Sequence, residues 1–146
     1  MNPVENFLSK SEEAQLIEAI RKAEKNTSGE IRLHIESGSE KTAMDRAKDV
    51  FYMLEMDKTE LNNGVLIYLA IESKAVAIIG DKGINEKVPD NFWESEIELM
   101  TNHFKNAEFL LGLELAITEM GNKLKTFYPY QSDDINELTD EISKGE

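Results

Sequence analysis

Along the chain, apolar residues recur with two different periods, and the switches between periods mark the elements. Ser9 and Glu12 stand at capping-box spacing ahead of an apolar stripe at Leu16, Ile17, Ile20 and Ala23. That pattern predicts a first helix ending near Gly29. In EIRLHIES the period drops to two, with Ile31, Leu33 and Ile35 on one face and Arg32, His34 and Glu36 on the other. Such alternation predicts a half-buried strand near a sheet edge. Ala47, Val50, Phe51 and Leu54 return to helical spacing. GVLIYLAIES then runs apolar almost throughout, which predicts a central strand covered on both faces, and the turn ESK joins it to AVAIIG as an antiparallel hairpin. Trp93, Ile97, Met100 and Phe104 predict a third helix; Phe109, Leu113, Ala116, Met120, Leu124 and Phe127 predict a fourth.

The order is therefore helix, strand, helix, strand, strand, helix, helix. A strand–helix–strand unit favours a right-handed parallel crossover, so the first two strands run the same way and the third returns against the second. This predicts an α/β chain: a three-layer α/β/α sandwich with a small mixed sheet and helices on both faces. One domain spans residues 1–130. Residues 131–146, QSDDINELTDEISKGE, hold six acids, one lysine and few large apolar groups. They bury too little to offset their ordering entropy, which predicts a flexible acidic tail.

Charge and composition narrow the function classes. The net charge of −13 over 146 residues argues against nucleic acid, whose binding needs a basic surface, and against anionic membranes. It favours a surface that attracts cations. With no cysteine and only His34 and His103, thiolate chemistry and histidine-rich zinc or iron sites are excluded. No segment is apolar for long enough to insert directly in a bilayer, and the N-terminus lacks a signal-peptide pattern, so the chain reads as cytoplasmic.

The hairpin brings polar residues from distant positions to one end of the sheet. Asn62 and Asn63, at the start of strand two, fall beside Asp81 in GDKGINEKVPDNFW, at the end of strand three. Glu30 opens strand one at the same end, Asp57 and Glu60 return there after helix two, and Asp90 follows on the same rim. These are hard oxygen donors, suited to Ca²⁺ or Mg²⁺. Each also has an ordinary structural use. Asn-Asn-Gly is a turn signal, Asp81 between glycines suits a loop residue with positive φ, and Asp90 suits a helix N-terminus. No EF-hand loop, P-loop, dinucleotide fingerprint, HExxH or GxSxG is present, and His34 and His103 read as packing or surface residues.

The ordered set Asn63-Gly64-Val65-Leu66, the short hairpin, Gly80-x-x-Gly83 with Pro89-Asp90, and Phe109 ahead of Gly112-Leu113 resembles the TPM-domain family. The resemblance covers roughly residues 8–130. It implies an α/β/α sandwich, divalent-cation binding at one sheet end in some members, and the acid-phosphatase activity of plant relatives. Carried over by position, it points at Asn63, Asp81 and Asp90. Many relatives carry a signal peptide and a membrane anchor, and this chain shows neither. Three functions stay open: a non-catalytic or regulatory domain binding Ca²⁺ or Mg²⁺ through Asp81, Asp90, Asn63, Asn62 and Glu30; a metal-assisted phosphatase acting on phosphate monoesters at the same rim; and a protein-interaction module. The sequence names no protein partner.

Overall fold

In the computed structural model, which describes residues 4, 7–59, 61–129 and 142–145, the Ser9–Glu12 capping box forms in both directions. Ser9 Oγ accepts from the Glu12 amide at 3.1 Å, and Glu12 Oε1 accepts from the Ser9 amide at 2.9 Å. Two orphan donors are thereby satisfied at the start of α1 (Lys10–Glu24). β1 (Glu30–Glu36) follows, then α2 (Ala43–Met53), where the Thr42 hydroxyl accepts from the Asp45 amide. A 3₁₀ turn at Met56–Lys58 leads into β2 (Gly64–Ala70) and β3 (Ala75–Gly80). A short helix that the periodicity does not predict, α3 (Lys82–Asn85), precedes α4 (Glu94–Lys105) and α5 (Phe109–Phe127). β4 (Ser143–Lys144) closes the order.

The sheet runs β3-β2-β1-β4. β1 and β2 are parallel from Glu30 opposite Gly64 to Glu36 opposite Ala70, and β2 and β3 are antiparallel from Val65 opposite Gly80 to Ala70 opposite Ala75. Each face of the sheet is covered by apolar helix stripes, as a strand buried on both sides requires. On one face Ile31, Leu33, Ile35, Val65, Ile67 and Leu69 pack with Leu16 and Ile20 of α1, Met100 and Phe104 of α4, and Leu113 and Ile117 of α5. On the other, Leu66, Tyr68 and Ala77 pack with Ala47, Val50 and Phe51 of α2, and with Met56. The three-layer mixed α/β/α arrangement stands as its pattern predicts. No helix among the described residues is long and apolar enough to cross a membrane.

Two features depart from the sequence-based expectation, and both concern the outer side of β1. β1 is not an edge strand, and its polar face is not solvated: His34 and Glu36 are buried. The neighbour that covers it comes from the segment expected to form a flexible acidic tail. Ser143 and Lys144 lie parallel to His34 and Ile35, and the Gly145 amide donates to the Ile35 carbonyl at 2.8 Å. Lys144 also pairs with Glu13 of α1. Residues 142–145 of the segment expected to be a tail are thus held by backbone pairing, one ion pair and the packing of Ile142 against the core. The remainder of the expected tail, residues 131–141 and 146, lies outside the described residues.

Beneath β4 sits a charged cluster. Glu36 accepts from Arg46 Nε at 2.9 Å, Arg46 Nη2 at 3.1 Å, the Tyr68 hydroxyl at 2.5 Å and His34 Nε2 at 2.9 Å. With Nε2 donating to the carboxylate, neutral His34 presents Nδ1 as acceptor for the Ser143 hydroxyl at 2.8 Å. Burial pushes the Glu36 carboxyl up, but the hydrogen bonds from Arg46, Tyr68 and His34 outweigh it and hold the group down at about 2. Burial lowers His34, with Glu36 opposing in part, and burial together with Glu36 raises Tyr68.

A second polar clamp ties the strand starts together. Asn63, buried at the head of β2, donates from Nδ2 to the Ser28 carbonyl at 2.8 Å, and its amide donates to Thr59 Oγ1 at 3.2 Å. Its carbonyl accepts from the Glu30 amide at 3.2 Å, the bond that opens the β1–β2 ladder.

These clusters predict two stability effects. Glu36 titrates from 4.5 when unfolded to about 2 when folded, so its contribution is present above pH 4.5 and is lost as pH falls through that window. His34, lowered from 6.5, adds a loss in the same direction at acid pH. Glu36→Gln is expected to cost ~3 kcal/mol at neutral pH, by leaving the Arg46 charge partly buried without its partner. Urea unfolding across the acid range should show the variant losing less stability than the wild type between pH 4.5 and 2. Asn63→Ala should cost about 1–3 kcal/mol in the same assay, because the part-buried Ser28 carbonyl loses its donor.

Candidate functional site

The last residue of β3 leads directly into the feature that sets this end of the sheet apart. The Asp81 amide donates to the Gly64 carbonyl at 2.9 Å, extending the β2–β3 ladder one step beyond Gly80. Asp81 then caps α3: its Oδ1 accepts from the Lys82 amide at 2.7 Å. Its φ of −69° is ordinary, so the glycines on either side are not there to permit a left-handed turn at Asp81. Oδ2 is the unusual atom. It is buried and has no hydrogen-bond partner among the described residues, on a residue only 8% exposed. An unsatisfied carboxylate oxygen is costly to keep out of water, by about 1–3 kcal/mol or more for a charged group.

Gly83 shows why α3 sits where it does. A Cβ at this position would lie 2.6 Å from both the Leu61 and Asn62 carbonyl oxygens and 3.0 Å from the Tyr128 hydroxyl. Only glycine lets the short helix approach these oxygens so closely. Asn62 turns its carbonyl this way by adopting a left-handed conformation, φ 51°, with its side chain exposed. Tyr128 is buried just past α5, and its hydroxyl is raised by burial and then by the charges of Glu86 and Asp81. Oxygen atoms from three separated parts of the chain thus surround α3.

The other expected rim residues are distributed as follows. Glu30 and Asn63 lie at this end, buried, on the first step of the β1–β2 pairing. The Asn63 side chain is committed to Ser28 and to a long contact, 3.4 Å, with the Thr59 hydroxyl, so it shapes the rim. Asp90 is exposed in the turn before α4 and does not cap that helix, whose N-cap is Trp93. Asp57 is half-buried in the 3₁₀ turn, and Glu60 lies outside the described residues. Among the described residues, no three His, Cys, Asp or Glu side chains form a metal-ligating group. The donors gathered around α3 are instead one carboxylate, two carbonyls and a phenol. Sequence reasoning reached Asp81 and Asn62 but missed Leu61 and Tyr128; Gly83, a glycine in an otherwise helical turn, was the available signal of a close approach. His34 and His103 are structural: the first belongs to the Glu36 cluster, and the second contacts Glu108 Oε1 at 3.1 Å.

A cleft of about 510 Å³ opens beside Asp81, between α2 and the β3–α3 junction. Phe51, Tyr52 and Ile79 form its apolar wall, and Lys48, Lys82, Asp81 and Glu86 supply its charges.

The fold recurs in known proteins. The NMR structure of the BA42 protein from the psychrophilic bacterium Bizionia argentinensis is 50% identical, covers 95% of this chain and 96% of its own, and superposes with a TM-score of 0.90. The N-terminal domain of a P. gingivalis protein shares the fold at 17% identity and a TM-score of 0.71, over 86% of this chain and 82% of that one. The N-terminal domain of a Corynebacterium glutamicum protein does so at 16% identity and 0.54, over 88% and 80%. No curated protein matches the chain. The TPM-domain profile matches residues 2–123, and the chain belongs to the TPM-domain family.

Proposed function

We infer that this domain binds a divalent cation, Ca²⁺ or Mg²⁺, around α3, with Asp81 as its anchor and a regulatory or other non-catalytic outcome. The observation that carries this reading is the Asp81 Oδ2 atom, buried and without a hydrogen-bond partner among the described residues, on the N-cap of the short helix whose Gly83 lies against the Leu61 and Asn62 carbonyl oxygens. A hard cation satisfies that oxygen, and carbonyl and carboxylate oxygens are its preferred ligands. The residues present fit such an ion. Asp81 would supply the charge, Asn62 its carbonyl, and Glu30 and Asn63 the frame that holds the loop, with Asp90 contributing field from the exposed turn. Oδ2 is closed to solvent, so an entering ion requires the Asp81 side chain to turn towards the cleft it lines. The overall charge of −13 adds a long-range attraction that weakens as salt is raised.

Calorimetric titration with Ca²⁺ and with Mg²⁺, paired with amide shift mapping, tests this. The expected result is saturable binding, shifts concentrated in residues 57–64 and 80–91, and at least about tenfold weaker binding in Asp81→Asn, equal to a change of ~1.4 kcal/mol. Asp81→Asn should fold at least as stably as the wild type without metal, since it removes a buried charge that lacks a partner. Wild-type affinity in Asp81→Asn would overturn the assignment.

A further inference from the structure

We propose that α4 and α5 are joined by a proton-dependent latch, in which the protonated Glu119 carboxyl donates a hydrogen bond to the buried Glu96 carboxylate, and that rising pH releases it. The latch is separate from Asp81 and from the cation reading.

Glu96 is fully buried on α4, on the face that also buries Trp93, Met100 and Phe104, where an apolar side chain is the ordinary choice. One of its oxygens is well supplied. Oε1 accepts from Lys123 Nζ of α5 at 2.8 Å and from the Ser95 hydroxyl at 3.1 Å. Lys123 is itself fixed there, since Nζ also donates to the Phe92 carbonyl at 2.5 Å and lies 4.8 Å from the centre of the Phe92 ring. The other oxygen, Oε2, is buried with no donor among the described residues. A carboxylate oxygen in that position is costly unless a hydrogen is brought to it.

Glu119 supplies the means. It stands four residues before Lys123 on α5, and so on the same side of that helix. Its carboxyl meets that of Glu96 in a side-chain hydrogen bond. Two ionised carboxylates are both acceptors, so this bond exists only while one of them carries a proton. Glu119 is the exposed member of the pair, open to exchange with solvent. The seam holds two acids and Lys123, and one proton makes it neutral. Partial burial of its carboxyl, then the hydrogen bond and charge of Glu96, raise Glu119 above its ordinary 4.5, with Lys123 opposing. The charged residues that α1 presents along α5, Glu18 and Lys22, line a groove with Glu114, Thr118 and Asn122 and cancel one another.

The sign follows from the direction of that shift. A group raised on folding contributes stability that is fully present below its unfolded value and is lost as pH rises through its folded one. The latch is therefore closed in weak acid and opens above pH 4.5, when Glu119 ionises and repels Glu96. Because α4 and α5 cover one face of the sheet, the packing of that whole layer responds to pH.

Two variants and one titration test this. Glu119→Gln offers a donor at every pH, and Glu119→Ala offers none. At pH 4.5 the wild type should match Glu119→Gln in urea midpoint and exceed Glu119→Ala. At neutral pH it should fall to the level of Glu119→Ala or below, while Glu119→Gln stays above both. Glu36 and His34 are common to all three proteins, so their own acid losses cancel in the comparison. NMR of the wild-type side-chain carboxyls, which needs no variant, should give Glu119 an inflection above 4.5. A Glu119 inflection at or below 4.5, or a wild type that keeps the same place relative to both variants at the two pH values, would overturn the proposal.

Discussion

The antiparallel pairing of β2 with β3 is the constraint on which the rest of this end of the molecule depends. Its register, Val65 opposite Gly80, carries Asp81 to the head of β2, where its amide closes on the Gly64 carbonyl. A slip of one residue would turn Ile78 from one core to the other and move Asp81 off that bond, so two buried faces defend the same register. The position of Asp81 is thus a by-product of core packing. What is not a by-product is its orphaned oxygen, because a packed sheet end has no need of an unsatisfied carboxylate.

The Glu36 cluster uses buried charge in the opposite way. There every carboxylate oxygen has a donor, and the group is held strongly ionised. The contrast with Asp81 is informative because both acids are buried in one small domain. One is satisfied by its own chain and serves stability; the other keeps one oxygen without a partner among the described residues. The cluster also explains how a polar segment docks on β1. Ser143 completes the hydrogen bonding of His34, and Gly145 fits only because a Cβ there would come within 2.8 Å of Glu36 Oε1. Specific polar complementarity adds to the packing of Ile142 against the core.

The layers, the element order and the hairpin were legible in the sequence because each rests on a period: three to four for the helices, two for β1, and an unbroken apolar run for β2. From the hairpin it followed that Asn63 and Asp81 share one end of the sheet. The docking of Ser143 and Lys144 was not legible, since pairing through backbone atoms leaves no mark in side-chain hydrophobicity. The burial of His34 and Glu36 was hidden for the same reason: alternation reports that two faces differ, and here the polar face is covered by Arg46, Tyr68 and a two-residue strand. At the rim, the sequence singled out side-chain donors, while the carbonyls nearby could not be assigned to particular residues. Asp90 reads like a cap but stands exposed before a helix capped by Trp93, and the oxygens of Leu61 and Asn62 belong to the backbone, which carries no residue signature.

The central claim is a location, so the most direct measurement is one that locates an ion. Mn²⁺, a paramagnetic substitute for Mg²⁺ and Ca²⁺, broadens amide signals steeply with proximity. The account predicts that substoichiometric Mn²⁺ first erases the amides of residues 61–64 and 81–86, and that excess Mg²⁺ restores them. Broadening that begins instead at the exposed acids of α1, with residues 81–86 untouched, would contradict it.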